Sequence, residues 1–220
     1  ATLPSKRAAP DAEEPKPKAS KPSFTYDEYS FGDLDENHQA ALEYFREHGF
    51  VVLRGVLTER CVDAGHDEFM HMLSEASGGA FKRYDRSTWV NANLPFDHRG
   101  INNFSYGFVS VLHSRFQWYA RTDPKLRQFF EHVFDTDNIW PSVDRMCFMR
   151  PGSKNRTVEY FWHWDQNPLK DPGFCRVQGL VALKDCPIEC GGFQVVPDSH
   201  KIDFTHYGSV FARAKGAVSH

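Results

Sequence analysis

The chain has 220 residues and a formal net charge of −3, with 26 lysine and arginine residues against 29 aspartate and glutamate residues. This length allows one domain with a substantial core, and the charge gives no electrostatic reason to expect nucleic acid as a partner. The sequence has no run of 18 apolar residues and an odd number of cysteines, five. We therefore expect no membrane-spanning helix and no secreted disulfide framework, but an intracellular protein, cytoplasmic or organellar.

Residues 1–23 differ in composition from the rest of the chain. They hold five of the thirteen prolines and no aromatic residue, so every Phe, Tyr and Trp lies in residues 24–220. Such a segment buries too little apolar surface to offset the entropy lost on ordering. We predict a disordered tail over 1–23 and one folded domain over 24–220. A targeting peptide is the weaker alternative, because the segment has no apolar central region and contains acidic residues.

Apolar repeats at the helical spacing predict four helices, over 36–48, 58–76, roughly 107–120 and from 124 onward. Asp35 is the expected N-cap of the first helix and Gly49 its stop. Asp123 and Pro124 are the expected N-cap and first residue of the last helix. The polar stretch 80–105 predicts a long loop of the kind that forms lids or binding loops.

Short strand-like runs dominate the rest of the folded part. They predict strands over 50–53, 143–150, 157–165, 176–184 and 193–197. Helices followed by strands indicate an α+β fold rather than a βαβ alternation.

His163 and Asp165 form a candidate metal site at the end of one predicted strand. Alternate residues of a strand share a face, so both side chains are expected to point the same way. A neutral imidazole beside a carboxylate can supply two members of the facial triad that suits non-haem Fe(II) and leaves coordination positions open. A hydrogen-bonded His–Asp pair is the alternative interpretation of this spacing.

Motifs on both sides of this pair extend the pattern. His-x-Asp at 163–165 precedes LKD at 183–185 and GGFQVVPDSHK at 191–201, and the earlier segment 45–57 reads FREHGFVVLRGVL. In these motifs the sequence resembles the phytanoyl-CoA dioxygenase family of Fe(II)/2-oxoglutarate oxygenases. Members of that family typically show His-x-Asp, then Leu-x-Asp, then GG-x-x-x-VPGSHK. Asp198 stands where the last motif has glycine.

The resemblance implies a double-stranded β-helix, a cupin-like jelly roll, braced by the N-terminal helices. It implies a non-haem iron enzyme that binds Fe(II) through His163, Asp165 and a later histidine. The cosubstrate 2-oxoglutarate is expected on an arginine, whose fork suits a carboxylate. With O2, the enzyme is expected to hydroxylate a small organic substrate and to release succinate and CO2.

The third ligand and the cosubstrate arginine have no clear counterpart in this sequence. In the family both follow the PGSHK segment and a further strand, and only about five strands are predicted where a jelly roll needs about eight. We therefore expect a chain that lacks its last strands and is the N-terminal part of a longer protein. His200 is a low-ranking substitute for the third ligand, and His206, His220 and Arg213 rank lower still.

Other polar residues near the motifs are weaker candidates. Gln178 is a candidate for facing the iron cavity and binding the cosubstrate, with an exposed strand position as the alternative. Trp164 and Gln166 are candidates for contacting substrate. Arg145 and Arg150 could each reach a carboxylate, although surface ion pairing is the simpler interpretation.

Two other functions remain open beside the oxygenase. One is a catalytically inactive jelly-roll binding domain with an incomplete metal site, and the other is a zinc- or metal-binding structural module. Cys175, Cys186 and Cys190 lack the paired Cys-x-x-Cys spacing of a structural zinc site. Buried small side chains are therefore the simpler interpretation of these cysteines.

Overall fold

The computed structural model describes residues 29–94, 107–109, 111–143, 145–150, 163–167, 170–186 and 193–202. Over these residues the fold is a mixture of helix and sheet. The helices are α1 (Leu34–His48), α2 (Glu59–Ala76), α3 (Arg115–Arg121) and α4 (Pro124–Phe134), with short 3-10 turns at Arg86–Thr88, Asn91–Asn93 and Ser199–Lys201. The strands are β1 (Ser30–Phe31), β2 (Val52–Leu53), β3 (Phe108–Val109) and β4 (Met146–Cys147). Within the described ranges, no helix is long and apolar enough to cross a membrane.

The strands form two small sheets, and each pairs segments that lie well apart in sequence. β1 pairs with β2 in parallel, and β3 pairs with β4 in antiparallel orientation. The first sheet therefore depends on how α1 folds back, because α1 connects β1 to β2, and the second depends on α3 and α4, which connect β3 to β4.

The first helix has the predicted end but a different start. Gly49 ends α1 with φ 81°, and its N–H donates to the carbonyl oxygen of Phe45. The predicted N-cap was wrong by two residues, because the carboxylate of Asp33 accepts from the N–H of Asp35. Asp35 lies inside the first turn, where its negative charge also suits the helix dipole.

The second and the fourth helix begin where the sequence predicts, at about residue 58 and at Pro124. The Thr58 hydroxyl accepts from the N–H of Cys61 at the start of α2. The Asp123 carboxylate accepts from the N–H groups of Lys125 and Leu126 at 3.0 and 3.1 Å, which starts α4 at Pro124. Such a cap contributes about 1 kcal/mol, so the first turn does not depend on distant contacts.

The prediction of a helix over 107–120 was wrong in its first half. Gly107 has φ +78°, and β3 follows it and pairs with β4. The helix starts only after Ser114, whose hydroxyl accepts from the N–H of Gln117. Glu68 on α2 also accepts from the first two N–H groups of α3, at 2.8 and 3.0 Å. Contacts distant in sequence therefore set this boundary.

The predicted strands are observed only in part. β2 and β4 lie inside the predicted runs 50–53 and 143–150. The predictions over 176–184 and 193–197 were wrong, because the structure forms no strand there. A strand needs a hydrogen-bonded neighbour, and these segments have no ladder partner among the described residues. The jelly roll stays a prediction.

Several predictions fall on residues that the structure does not describe. The tail 1–23, residues 95–105 of the predicted loop and residues 157–162 of the predicted strand lie outside the described residues. The division into a tail and a domain over 24–220 therefore also stays a prediction.

The core consists of two hydrophobic clusters. One joins α1 to α4 through Leu34, Ala41, Leu42, Phe129 and Val133. The other joins α2 to the following loop and β3 through Phe69, Met70, Leu73, Phe81, Leu94 and Val109. Each fully buried side chain of this size stabilises the fold by roughly 1.5–3 kcal/mol.

The described part of the predicted binding loop is anchored in this second cluster. Phe81 is fully buried and Leu94 is 2 % exposed, and the ring of Trp89 stacks on Phe81 with centroids 5.6 Å apart. Residues 81–94 therefore form a fixed wall on the core.

A histidine pair lies between α1 and α4. Nδ1 of His132 is 2.5 Å from Nε2 of His38, and Arg46 donates to the carbonyl oxygen of His132. Burial lowers the pKa of the His38 imidazole and the neighbouring His132 lowers it further, whereas Asp35 acts in the opposite direction. The contact between the two rings needs at least one neutral imidazole, so the packing of α1 on α4 is coupled to protonation.

We predict that the protein loses stability as the pH falls through about 6.5, the ordinary pKa of histidine. The pKa of His38 is lower in the folded state, so the unfolded chain binds the proton first and protonation favours unfolding. The Tm of a His38→Gln variant should fall less than that of the wild type between about pH 7.5 and pH 5.5. A His71→Gln control changes an exposed histidine of α2 and should keep the wild-type pH dependence. Equal pH dependence in the His38→Gln protein would contradict this explanation.

Gly65 lies where α2 meets α3, and a Cβ at this position would overlap the ring of Phe116. We predict that Gly65→Ala lowers the free energy of unfolding by about 1–3 kcal/mol through overpacking, although Ala favours a helix interior over Gly by about 1 kcal/mol. Urea unfolding measures the change. Gly32→Ala is the matched control, because no atom lies within 4 Å of the Cβ it would add. If Gly65→Ala were as stable as this control, the prediction would be wrong, and α2 and α3 could move apart without lowering the free energy of unfolding.

Candidate metal centre

His163 and Asp165 are in direct contact. Nε2 of His163 lies 3.0 Å from Oδ1 of Asp165, and about half of each side chain is exposed. The two residues lie in an irregular segment with a bend at Asp165 rather than in a strand. The predicted strand geometry was therefore wrong here, but the two side chains still converge.

The donor set of this pair fits a divalent metal in part. A separation of 3.0 Å is an ordinary hydrogen-bond length. It is also close to the spacing of two neighbouring ligands at right angles, each about 2.1 Å from a metal. The hydrogen-bonded pair and the metal-bound pair exclude each other. Nε2 carries a proton in the hydrogen bond, whereas it must offer its lone pair to a metal. The pair can thus supply two ligands once the imidazole proton moves to Nδ1.

The described residues do not bring a third ligand to this pair. Among them, no group of three or more His, Cys, Asp or Glu side chains could hold a metal ion. His200 is among the described residues and so does not join His163 and Asp165. Of the three cysteines considered for zinc, Cys175 and Cys186 are exposed and form no disulfide, so the expectation that they are buried was wrong. Cys190 lies outside the described residues. His206, Arg213 and His220 also lie outside them.

His200 instead packs against the C-terminal end of α1. Its Nε2 is 3.2 Å from the carbonyl oxygen of Arg46 and can donate to it. A Cβ on Gly49 would overlap the His200 ring. The N–H of Asp198 donates to the carbonyl oxygen of His48 at 3.0 Å. The segment 196–201 thereby satisfies carbonyl groups that have no partner inside the helix.

Asp198 adopts the left-handed conformation that explains its replacement of glycine in the family motif. Its φ is 63°, a region that Asp tolerates better than most residues. An ion pair with Lys201, at 3.0 Å, lowers the pKa of the Asp198 carboxyl below its usual value. The departure from the motif therefore preserves the backbone turn.

The weaker site candidates lie in different surroundings. Trp164 is 47 % exposed, and Gln178 is also exposed. The amide of Gln166 donates to the carbonyl oxygens of Asp171 and Gly173, at 2.5 and 2.6 Å, so it closes its own loop. The binding roles of Trp164, Gln166 and Gln178 stay predictions.

The two arginines near β4 contact different groups. Arg145 lies over the ring of Phe108, with Cζ 4.6 Å from the centroid. Arg150 is partly buried and donates to the carbonyl oxygen of Trp89 at 2.7 Å and to Oδ1 of Asn91 at 2.5 Å. Sequence reasoning missed this arrangement, since no local pattern links residue 150 to a loop 60 residues earlier.

The comparisons with known proteins agree with the motifs. The sequence model of the family described as phytanoyl-CoA dioxygenase (PhyH) matches residues 45–210. The chain belongs to this family of dioxygenases, as its motifs predict.

Three curated relatives are similar to this chain. Ava biosynthesis cluster protein O of Aspergillus versicolor is 28% identical over 72% of the chain and 49% of its own length. A Dictyostelium discoideum protein provisionally named a phytanoyl-CoA dioxygenase is 26% identical over 75% and 56%. The Fe(II)/2-oxoglutarate-dependent dioxygenase nvfF of Aspergillus novofumigatus is 26% identical over 71% and 52%. The chain thus spans about half the length of the curated relatives it matches, and no solved structure matches it significantly.

We predict that His200→Ala lowers the free energy of unfolding by about 1 kcal/mol, the usual contribution of one hydrogen bond. The affinity for Fe(II) should stay within twofold of the wild type, because His200 packs on α1 and not beside His163. Chemical unfolding and Fe(II) titration measure the two effects. A loss of Fe(II) affinity as large as that of His163→Ala would instead identify His200 as a ligand.

Proposed function

We propose that this protein is an Fe(II)- and 2-oxoglutarate-dependent dioxygenase that hydroxylates a small organic substrate and releases succinate and CO2. The observation that carries the proposal is the contact between His163 Nε2 and Asp165 Oδ1 inside the span that matches the family. The name of the relative nvfF, which states both Fe(II) and 2-oxoglutarate, supports the same activity.

His163 and Asp165 are the residues that would hold the iron. Bound Fe(II) would supply open coordination positions for the cosubstrate and O2. To bind Fe(II), His163 must offer the lone pair of Nε2, and Asp165 must be ionised. The half-exposed position of both side chains leaves one side of the pair open to small molecules. The third ligand and the arginine for the cosubstrate are expected in the part of the family fold that follows the PDSHK segment.

The architecture that we propose is the cupin-like jelly roll of this family, braced by the N-terminal helices. In this arrangement α1 and α4 pack on each other through their apolar faces. The segment 196–201 packs on the end of α1 through Asp198 and His200. The helices then serve as a support for the PDSHK segment.

The activity test measures succinate released from 2-oxoglutarate in the presence of Fe(II), O2 and a panel of small organic substrates. The sample is the full-length protein, because the chain spans about half the length of the relatives that it matches. We expect Fe(II)-dependent release of succinate, including slow release without substrate. If the full-length protein binds Fe(II) but never consumes 2-oxoglutarate, it is an inactive jelly-roll binding domain and the proposal is wrong.

We predict that His163→Ala and Asp165→Ala each lower succinate release and Fe(II) affinity by more than about 100-fold, since even the partners behind a metal ligand contribute about 10- to 100-fold. The matched control is His71→Ala. His71 also contacts a carboxylate, with Nε2 3.2 Å from Glu75 Oε1 on the surface of α2, and its loss should leave both quantities unchanged. Unchanged Fe(II) affinity in the His163→Ala protein would remove this pair from the metal site.

A further inference from the structure

Arg150 is a partly buried cation whose observed partners are all uncharged. Its Nη1 and Nη2 donate to the carbonyl oxygen of Trp89 and the amide oxygen of Asn91. A guanidinium carries five N–H groups, so these two bonds leave three donors for another group. No Asp or Glu among the described residues forms an ion pair with it.

Partial burial of this charge is not offset by an acid among the described residues. Burial lowers the pKa of Arg150, and no charged group in the described part of the chain counteracts the effect. Buried charges are normally paired, because removing a cation from water is costly. A guanidinium kept in such a position without a counter-charge is well suited to an anion from outside the chain.

The wall against which Arg150 lies is itself positively charged. Residues 81–94 contain three basic residues, Lys82, Arg83 and Arg86, and a single acid, Asp85. Asp85 is bound to the N–H and hydroxyl of Ser87. Arg83 contacts Asp67, whereas Arg86 lies over the Trp89 ring with Cζ 5.8 Å from its centroid. Two arginines therefore converge on Trp89, which favours an anionic ligand there.

The groups that hold Arg150 are fixed before any ligand arrives. The indole N–H of Trp89 donates to the carbonyl oxygen of Lys82 at 2.9 Å. The ring of Trp89 also packs on Phe148, with centroids 5.4 Å apart. The amide of Asn93 donates to the carbonyl oxygen of Thr88 at 2.9 Å. A cation held by such a wall loses little conformational entropy when it binds a ligand.

We propose that Arg150 and the wall 81–94 form a binding site for a carboxylate group of a small organic acid. The carboxylate would accept N–H groups that Trp89 and Asn91 leave available. It can come from 2-oxoglutarate or from an acidic substrate. The choice between 2-oxoglutarate and an acidic substrate rests on the proposed function. The carboxylate site itself does not depend on that function.

Equilibrium binding of two probes to the metal-free protein tests this site. The probes are 2-oxoglutarate and hexanoate, and the signals are tryptophan fluorescence and calorimetric heat. We expect Arg150→Gln to weaken the binding of at least one probe by about 10-fold or more, because it removes a charge-assisted bond. Arg150→Lys should bind more weakly than the wild type, since an ammonium cannot form two parallel bonds to a carboxylate.

A control variant separates binding from stability. Arg127→Gln makes the same substitution at an exposed arginine that already pairs with Glu131 at 2.6 Å, so the affinity for both probes should not change. A lower Tm of this control at unchanged affinity would show that lost stability alone does not weaken binding.

The outcomes are distinct. A loss for 2-oxoglutarate alone identifies the cosubstrate as the source, and a loss for hexanoate alone identifies an acidic substrate. If neither probe binds the wild type, or if both bind Arg150→Gln as tightly as the wild type, Arg150 only ties the wall to β4 and the inference is wrong. If Arg150→Gln fails to fold, wild-type affinity in Arg150→Lys overturns the inference instead. The assay contains no Fe(II) and measures no turnover, so its failure differs from that of the proposed activity.

Discussion

Packing around the ring of Phe81 holds together parts of the chain that are distant in sequence. The ring stacks on Trp89 and meets Phe148 edge to face, with centroids 5.6 and 5.9 Å away, and Phe148 also meets Phe69 of α2. Aromatic pairs of this kind add about 0.5–1.5 kcal/mol each to the burial of their area. This cluster fixes the wall 81–94 against α2 and places Arg150, which follows β4, beside Trp89.

The charged groups near this framework are held in two different ways. At the end of α1, Asp198, Lys201 and His200 compensate one another and the helix carbonyl groups. The acceptors that Arg150 contacts among the described residues are neutral. A cluster whose charges pair with one another stabilises the fold, whereas a fixed charge without a counter-charge is available for binding a ligand. The pair His163–Asp165 is compensated by its own contact, and under the proposed function iron would take the place of that contact.

Local signals predicted the helices well and the strands poorly. Asp123 with Pro124, Thr58 and Gly49 marked three helix boundaries correctly, because a cap acts within one turn of its own helix. The predicted helix over 107–120 was wrong before residue 115, since β4 and Glu68 decide what residues 107–114 do. The runs 176–184 and 193–197 have strand-like composition, but composition does not provide the neighbouring strand. For the site, the His-x-Asp spacing predicted the contact of His163 with Asp165 without the strand that was expected to create it.

The sequence by itself determined the family, the helices with strong caps and the contact between His163 and Asp165. Each depends on residues within a few positions or on motifs that can be compared one by one. Only the tertiary structure decided that His200 supports α1, that Gln166 closes its own loop and that Arg150 lies against Trp89 and Asn91. These contacts join residues through the fold, and their energies depend on burial and on neighbouring charges. A linear pattern contains neither quantity, because both arise only when distant segments pack together.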